Sequence, residues 1–495
     1  MAFTLGIDIG TYETKGVLVD HTGAVRSQAA RGHKMLVPQP GWAEHSPEKD
    51  WWGDFVFICR KIIKDSGIDP SEIKAVACSA IGPCMLPVDA EGKPLMNGVL
   101  YGVDGRAEAE VRYLTDIIGK DAIISQCGNA LTSQSVGPKI LWLKRKRPEV
   151  YAQTAYILTS TSFLVQRLTG QTVIDHYTAA NFSPLYDVNT QSWTNELNDD
   201  IIPLEKLPRL LWSNEIAGEI TVEAAGITGL KAGTPVTAGT IDAAAEAISV
   251  GADKPNDMMM MYGSTIFIIL RAQSQISDPR IWYAPWLFEG EHASMAGLAT
   301  SGTLTHWFRD QMARDFDPKL AFPLLANEAS ISPPGANGLI MLPYFSGERT
   351  PIHDVYAKGV LFGLNLTHNR GDMYRALIEG IAHGTRHVTD TFQELGQSPK
   401  RLLAVGGGTN NALWLQATSD IIGIDQIVCE KTLGASYGDA FLAALAVGLV
   451  SRGDIANWNP IAKTVVAQPN PVYEQAHNLF LRLYEQTKDI ALELS

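Results

Sequence analysis

A strand, a glycine-and-hydroxyl turn and a second strand occur at two distant places in this chain, and the recurrence constrains its fold more than any other feature. Phe3 to Ile9 is apolar and β-prone, Gly10-Thr11 breaks it, and Lys15 to Asp20 resumes as a strand. In the second half, Met258 to Tyr262, Gly263-Ser264-Thr265 and Phe267 to Leu270 repeat the pattern. Such pairs also arise independently, so the later order of elements matters. A chain of 495 residues exceeds what one hydrophobic core supports. The echo points to two related α/β domains, 1–248 and 249–495, meeting between Ala245 and Asp257.

The segments around each hairpin alternate in type. His21-Thr22-Gly23 turns the chain into a third strand, Ala24 to Arg31. Ser46-Pro47-Glu48 is a helix-start signal, and Trp51, Phe55, Ile58, Cys59 and Ile62 share one helical face. A buried strand is expected over Ile73 to Cys78. Later, Asp372 to Leu395 reads as a long amphipathic helix, followed by strand Leu402 to Val405, helix Leu413 to Ile422, strand Gln426 to Val428 and helix Ala435 to Val447.

Composition narrows the classes. Apolar residues make up 45% and charged residues 19%, the balance of a globular protein. A net charge of −13 argues against nucleic acid or anionic lipid as partner. Five scattered cysteines lack disulfide or zinc spacing, which fits a cytoplasmic location. The start has no basic segment before an apolar run, so no signal peptide is expected. The most apolar late stretch, Ala440 to Val450, is too short to span a membrane.

Three segments carry candidate chemistry. In Asp8-Ile9-Gly10-Thr11-Tyr12-Glu13-Thr14-Lys15 a buried strand ends on an acid and enters a turn of hydroxyls with a cation. Such a turn can receive phosphate, with Asp8 organising a metal through water, or can be a plain hairpin with a polar tip. Gly406-Gly407-Gly408-Thr409-Asn410-Asn411, between strand and helix, suits close approach of a nucleotide, or is a flexible loop. Gly239-Thr240-Ile241-Asp242 places Asp242 in the first turn of a helix, where a carboxylate caps free N–H groups whether or not it does chemistry. The common phosphate loop Gly-x-x-x-x-Gly-Lys-Ser/Thr, the Gly-x-Ser-x-Gly elbow and the His-Glu-x-x-His helix are absent.

Longer motifs go further. Leu342-Pro343-Tyr344-Phe345-Ser346-Gly347-Glu348-Arg349-Thr350-Pro351, then Lys358-Gly359-Val360-Leu361-Phe362-Gly363-Leu364, then Tyr374-Arg375-Ala376-Leu377-Ile378-Glu379-Gly380 follow in order. With Gly6 to Thr11, Gly41-Trp42-Ala43-Glu44, Trp51-Trp52 and the glycine triplet, the chain resembles the xylulokinase branch of the FGGY carbohydrate kinase family over nearly its whole length. The resemblance implies two duplicated ribonuclease-H-like domains of the actin-like ATPase type with a cleft between them, and transfer of phosphate from ATP to a small sugar or polyol with Mg2+. It further implies a first phosphate loop of Asp8, Gly10, Thr11 and Lys15, with the metal near Asp8, and a second loop at Gly263 and Ser264. Gly302, His306, Gly407, Gly408 and Asn411 would line the adenosine side, and Asp242 would be the catalytic base and touch the acceptor. A homodimer is compatible with the resemblance.

The match has departures. Where xylulokinases carry Gln-Met-His-Gly, this chain has Ala80-Ile81-Gly82-Pro83-Cys84-Met85. Gly82 and Pro83 thus stand where a thioether and an imidazole meet the sugar, and are expected to leave space. Asp104-Gly105-Arg106 keeps the family pattern, with Asp104 a hydroxyl ligand or part of a solvated turn, and the Lys-x-x-Trp signature holds at Lys139 and Trp142. Three functions stay open: a pentulose kinase acting on xylulose or a near relative, a kinase for another ketose, polyol or sugar acid, and a nucleotide-dependent sugar-binding protein without turnover. Retention of Asp8, Thr11 and Asp242 speaks against the last.

Overall fold

The computed structural model describes residues 2–495. They form two compact units: 2–253 with Ser274–Ala293 and Leu433–Pro460, and Lys254–Gln273 with Ser294–Thr432 and Ile461–Ser495. The units are interleaved along the chain rather than consecutive.

In the first unit Phe3–Ile9 pairs antiparallel with Glu13–Asp20, which pairs with Val25–Gly32. On its other side Phe3–Ile9 runs parallel to Ile73–Ala80, and the sheet continues through Pro235–Thr237 to Ile216–Glu219. Thr240–Ile241 also pairs parallel with the end of Ile73–Ala80. The helix signalled by Ser46-Pro47 begins as a wide π-type turn over Pro47–Trp52, where Ser46 Oγ accepts from Lys49 N, and becomes α-helical over Gly53–Ser66. Phe55, Ile58, Cys59 and Ile62 are fully buried against Leu5, Ile7 and Leu18 of the sheet. Replacing such an aromatic by alanine costs about 3–5 kcal/mol.

The other face of this sheet is covered by a late segment, the helix Ala435–Ala446. Its small residues allow backbone-to-backbone approach. A Cβ on Gly438 would lie 1.9 Å from Ala245 O, and one on Gly6 would lie 2.0 Å from Ser436 O. The helix is therefore wedged against both the first strand and the helix Asp242–Ser249.

The second unit repeats the topology. Asp257–Tyr262 pairs antiparallel with Ile266–Ala272 and parallel with Arg401–Val405, which runs parallel to Gln426–Cys429, which pairs antiparallel with Ile461–Val465. Hairpin, parallel neighbour, parallel neighbour and antiparallel edge follow in the same order as in the first unit. The echo between the two hairpins is thus a duplication of the sheet, each built on a ribonuclease-H-like plan. The long helix Arg370–Glu394 begins at a capping box formed by Asn369 and Asp372. Among the described residues, no helix is long and apolar enough to cross a membrane, and all five cysteines are buried and outside any disulfide.

Candidate active site

Three parallel strand ends converge in the first unit, where open α/β sheets place ligands. Asp8 pairs with Ser79 in register, Ser79 with Thr240, and Asp242 opens the helix that follows Ile241. Gly239, at φ 73°, allows this path, because a Cβ there would lie 2.2 Å from Cys78 O. Thr161 Oγ1 donates to Thr240 O, and Thr240 Oγ1 to Asp175 Oδ2, which fixes the segment just before Asp242.

Asp242 Oδ1 accepts from Ala243 N at 2.7 Å, so it does cap its helix. Burial nevertheless pushes its carboxyl up to about 6. One turn on, Glu246 is pushed up to about 7 by burial and by the charge of Asp242. Burial and the charges of Asp242, Asp439 and Glu246 hold Asp8 well above the usual carboxylate range, with Lys15 pulling it back. Asp439, on the Ala435–Ala446 helix, is fully buried. Its Oδ2 accepts from Ser79 N and Ser79 Oγ at 3.1 and 2.7 Å, and its Oδ1 has no protein partner. Four acids thus share one low-dielectric region.

The turn after Asp8 is tight. Gly10 N donates to Glu13 O at 2.9 Å, and a Cβ on Gly10 would lie 2.9 Å from that oxygen. Thr11 Oγ1 is 3.1 Å from Tyr101 OH, and Lys15 pairs loosely with Glu13 at 3.4 Å while half exposed. Asp8, Gly10, Thr11, Lys15 and Asp242 are therefore brought together. Glu246, Asp439 and Ser79 join them without having been singled out in the sequence. The one available signal was Asp439, a lone acid on a helix of small and apolar residues.

The region expected to hold the acceptor differs from expectation. The space beside Gly82 is filled: a Cβ on Gly82 would lie 2.7 Å from Ile241 Cγ1. The space that a side chain at Gly82 would take is thus occupied by Ile241, the neighbour of Asp242. Asp104 is fully committed. Its Oδ2 accepts from Ala43 N at 2.6 Å, and both oxygens accept from Arg106, whose Nη2 also reaches Glu44 at 2.9 Å. The guanidinium lies 4.0 Å from the Trp42 ring centroid and 5.0 Å from that of Trp142. Lys139 donates to Leu100 O and Tyr101 O, and burial lowers it to about 8.

The second unit holds a cavity of about 920 Å³. Gly263, Ser264, Gly302, His306, Gly407, Gly408 and Asn411 all line it, together with Tyr374 of the third long motif and with Phe322 and Gln416, which the sequence did not single out. Gly302 N donates to Gly263 O at 3.0 Å, and a Cβ on Gly302 would lie 2.4 Å from that oxygen, so turn and helix start pack directly. A Cβ on Gly408 would lie 2.8 Å from the Trp414 ring, whereas one on Gly407 would meet nothing within 4 Å. Asn411 Oδ1 caps the next helix by accepting from Trp414 N. The cavity offers aromatic and glycine surfaces with few charges, as a nucleoside site requires.

Comparison with known proteins identifies the family. Residues 3–249 match the N-terminal domain of the FGGY family of carbohydrate kinases, and residues 258–447 match its C-terminal domain. A xylulose kinase of Bacillus subtilis is 27% identical over 497 residues, covering 99% of this chain and 98% of that protein. A glycerol kinase of Corynebacterium efficiens is 28% identical, covering 92% and 91%. The crystal structure of xylulose kinase from Rhodospirillum rubrum has a TM-score of 0.92 to this chain at 28% identity, covering 99% of each. With both domains matched and the fold shared over nearly the full length, this chain belongs to the FGGY family of carbohydrate kinases and is a sugar kinase with ATP as co-substrate.

Proposed function

We propose that this kinase transfers the γ-phosphoryl group of ATP to a hydroxyl of a small open-chain sugar, a pentulose such as xylulose in the first instance, with Asp242 as general base. The observation that carries the reading is Asp242 itself, a carboxylate at the strand ends whose pKa is raised to about 6. It is ionised at neutral pH, yet more basic than an ordinary carboxylate, which suits proton acceptance. As the acceptor oxygen attacks phosphorus, its proton passes to Asp242, the new O–P bond forms, and the bond to the ADP oxygen breaks. The Gly10-Thr11 turn with Lys15 suits phosphate, and within the second unit the cavity lined by Gly302, His306 and Gly407 suits adenosine.

Magnesium fits as an ion that keeps much of its water. Among the described residues no group of three or more His, Cys, Asp or Glu could hold a metal, whereas Asp8 at the strand end can bind through water beside the phosphates. Bound there, the ion would neutralise phosphate charge. Asp104 is assigned to orienting Arg106 and the Ala43 backbone, since binding a hydroxyl directly would cost it charge-assisted bonds.

The expected result for Asp242→Asn is retained fold and nucleotide binding with turnover reduced roughly a hundredfold to ten-thousandfold. Near-normal turnover would remove Asp242 from this role. The filled space at Gly82 favours a second reading, in which the best substrate is another ketose, polyol or sugar acid. No imidazole is present there to bond a xylulose hydroxyl, and Ile241 presents an apolar surface instead. Comparison of kcat/KM over pentuloses, tetruloses, polyols and aldonates decides between them, and D-xylulose as clearly the best substrate would exclude the second.

A further inference from the structure

Two imidazoles hold the Gly10-Thr11 turn from behind. His33 Nε2 lies 3.0 Å from Gly10 O and its Nδ1 2.8 Å from Asp54 Oδ2. His45 Nε2 lies 3.0 Å from Thr11 O, and its Nδ1 accepts the indole N–H of Trp51 at 3.1 Å. The two rings meet edge to face with centroids 4.8 Å apart. Both are shielded: the His33 side chain is 4% exposed and His45 is fully buried.

The partners dictate the protonation of each ring. An indole N–H only donates, so Nδ1 of His45 carries no proton and its single proton is on Nε2, donated to Thr11 O. His45 is therefore neutral. His33 faces an acceptor at each nitrogen, a carbonyl and a carboxylate. Asp54 also pairs with Arg31 at 3.1 Å and accepts from Thr14 Oγ1 at 3.1 Å. Both bonds of His33 exist together only if the ring is an imidazolium. The electrostatics agree. Burial opposes charge on His33, but the hydrogen bond and charge of Asp54 lift it above its ordinary value, while burial and the His33 charge lower His45 to about 4.

In a trans peptide the C=O and the following N–H point in opposite directions. Pinning the carbonyls of Gly10 and Thr11 toward the histidines therefore turns the N–H groups of Thr11 and Tyr12 the other way. Neither amide donates a hydrogen bond to the backbone among the described residues. Two successive outward amides form a nest for an anion, backed by a cation one carbonyl away.

We propose that His33, as an imidazolium, and the neutral His45 are positioning residues for phosphoryl transfer, holding the Gly10-Thr11 turn with its amides presented to a phosphate of the nucleotide. The inference rests on the reading of this turn as a phosphate site. The charged groups around His33 are Asp54 and Asp50 on the helical segment, Arg31 on the preceding strand, and Glu13 and Lys15 on the strand paired with it. Because the folded pKa of His33 is raised, its contribution is present below about 6.5 and is lost as pH rises through the folded value.

The test is steady-state kinetics of the full chain from mildly acid to alkaline pH, with KM for ATP, KM for the sugar and kcat separated. In the wild type KM for ATP is expected to rise on the alkaline side while KM for the sugar stays level. His33→Gln, which keeps a donor but neither the charge nor two N–H groups, is expected to raise KM for ATP about tenfold at low pH and to abolish the alkaline rise. Asp54→Asn, which removes the charge that keeps the ring protonated, is expected to flatten the same profile and serves if His33→Gln does not fold. Lys15→Ala, which removes the cation of the phosphate turn, separates the histidine inference from the phosphate reading it rests on. If it raises KM for ATP while both other variants keep the wild-type profile, the histidine inference is overturned and the phosphate turn stands. If it leaves KM for ATP unchanged, the phosphate turn itself is wrong, and the inference goes with it.

Discussion

At the scale of single residues, the site sacrifices stability for chemistry. Asp242 binds its proton more tightly folded than unfolded, so its contribution to stability is lost as pH rises from about 4 to about 6. At neutral pH the ionised group costs the fold roughly 1–3 kcal/mol. Asp242→Asn should therefore melt at a higher temperature than the wild type at neutral pH, with the difference vanishing in acid. A lower melting temperature at neutral pH would contradict this. In its proposed role as base, Asp242 should also make kcat fall about tenfold per pH unit below its pKa in the working complex. Gly407 supplies an independent check on the nucleotide cavity. A Cβ there meets no protein atom within 4 Å and needs no positive φ. Gly407→Leu should keep the wild-type melting temperature and raise KM for ATP about tenfold or more by filling the site. An unchanged KM would place the nucleotide elsewhere.

At the scale of elements, the helix Ala435–Ala446 decides where the acids sit. It carries Asp439 to Ser79 and packs by its backbone on Ala245, one residue before Glu246. Gly438→Val would drive two methyl groups into the Ala245 carbonyl. Such overpacking typically costs about 1–3 kcal/mol and more where backbone must move. The expected result is a lower melting temperature together with reduced kcat, because the helix that begins at Asp242 must shift. A stable variant of normal kcat would show that this packing does not position the base. Most elements were legible from hydrophobic periodicity and turn residues. The long helix expected over Asp372 to Leu395 is Arg370–Glu394, and the strand expected over Ile73 to Cys78 is Ile73–Ala80. The wide turn over Pro47–Trp52 was not legible, because burial of Trp51 and Trp52 rather than local propensity shapes it.

At the scale of the whole molecule, buried acids outweigh buried bases in setting pH dependence. Asp8, Asp175, Asp242, Glu246, Glu348, Glu379 and Asp439 are all held above ordinary values, chiefly by burial. Each loses stability as pH rises from its unfolded to its folded value. His45, His176 and His383 are depressed by burial and act oppositely, losing stability as pH falls below about 6.5. Asp175 and Asp242, raised to about 6, and Glu246 and Glu348, raised to about 7, titrate across the range near neutrality, so the acids prevail there. The melting temperature should be higher near pH 5.5 than near pH 7.5, in each case approximately, and thermal scans in the two buffers would expose the opposite order.

The turn at Gly10-Thr11, the acid at Asp242 and the glycine triplet were readable because their chemistry is local: a hairpin needs a tight turn, a helix start attracts a carboxylate, and close approach of a ligand needs bare backbone. The duplication was readable for the same reason, since each hairpin leaves its own short pattern. Packing between distant segments lay beyond that reach. Asp439 meets Ser79 across 360 positions of chain, Ile241 fills the space that Gly82 leaves, and Asp104 spends its oxygens on Arg106. Periodicity reports which face of an element is apolar, but not which element covers it. Only the folded chain brings His33 and His45 to the two carbonyls of one turn, and only those partners determine that one imidazole is charged and the other neutral.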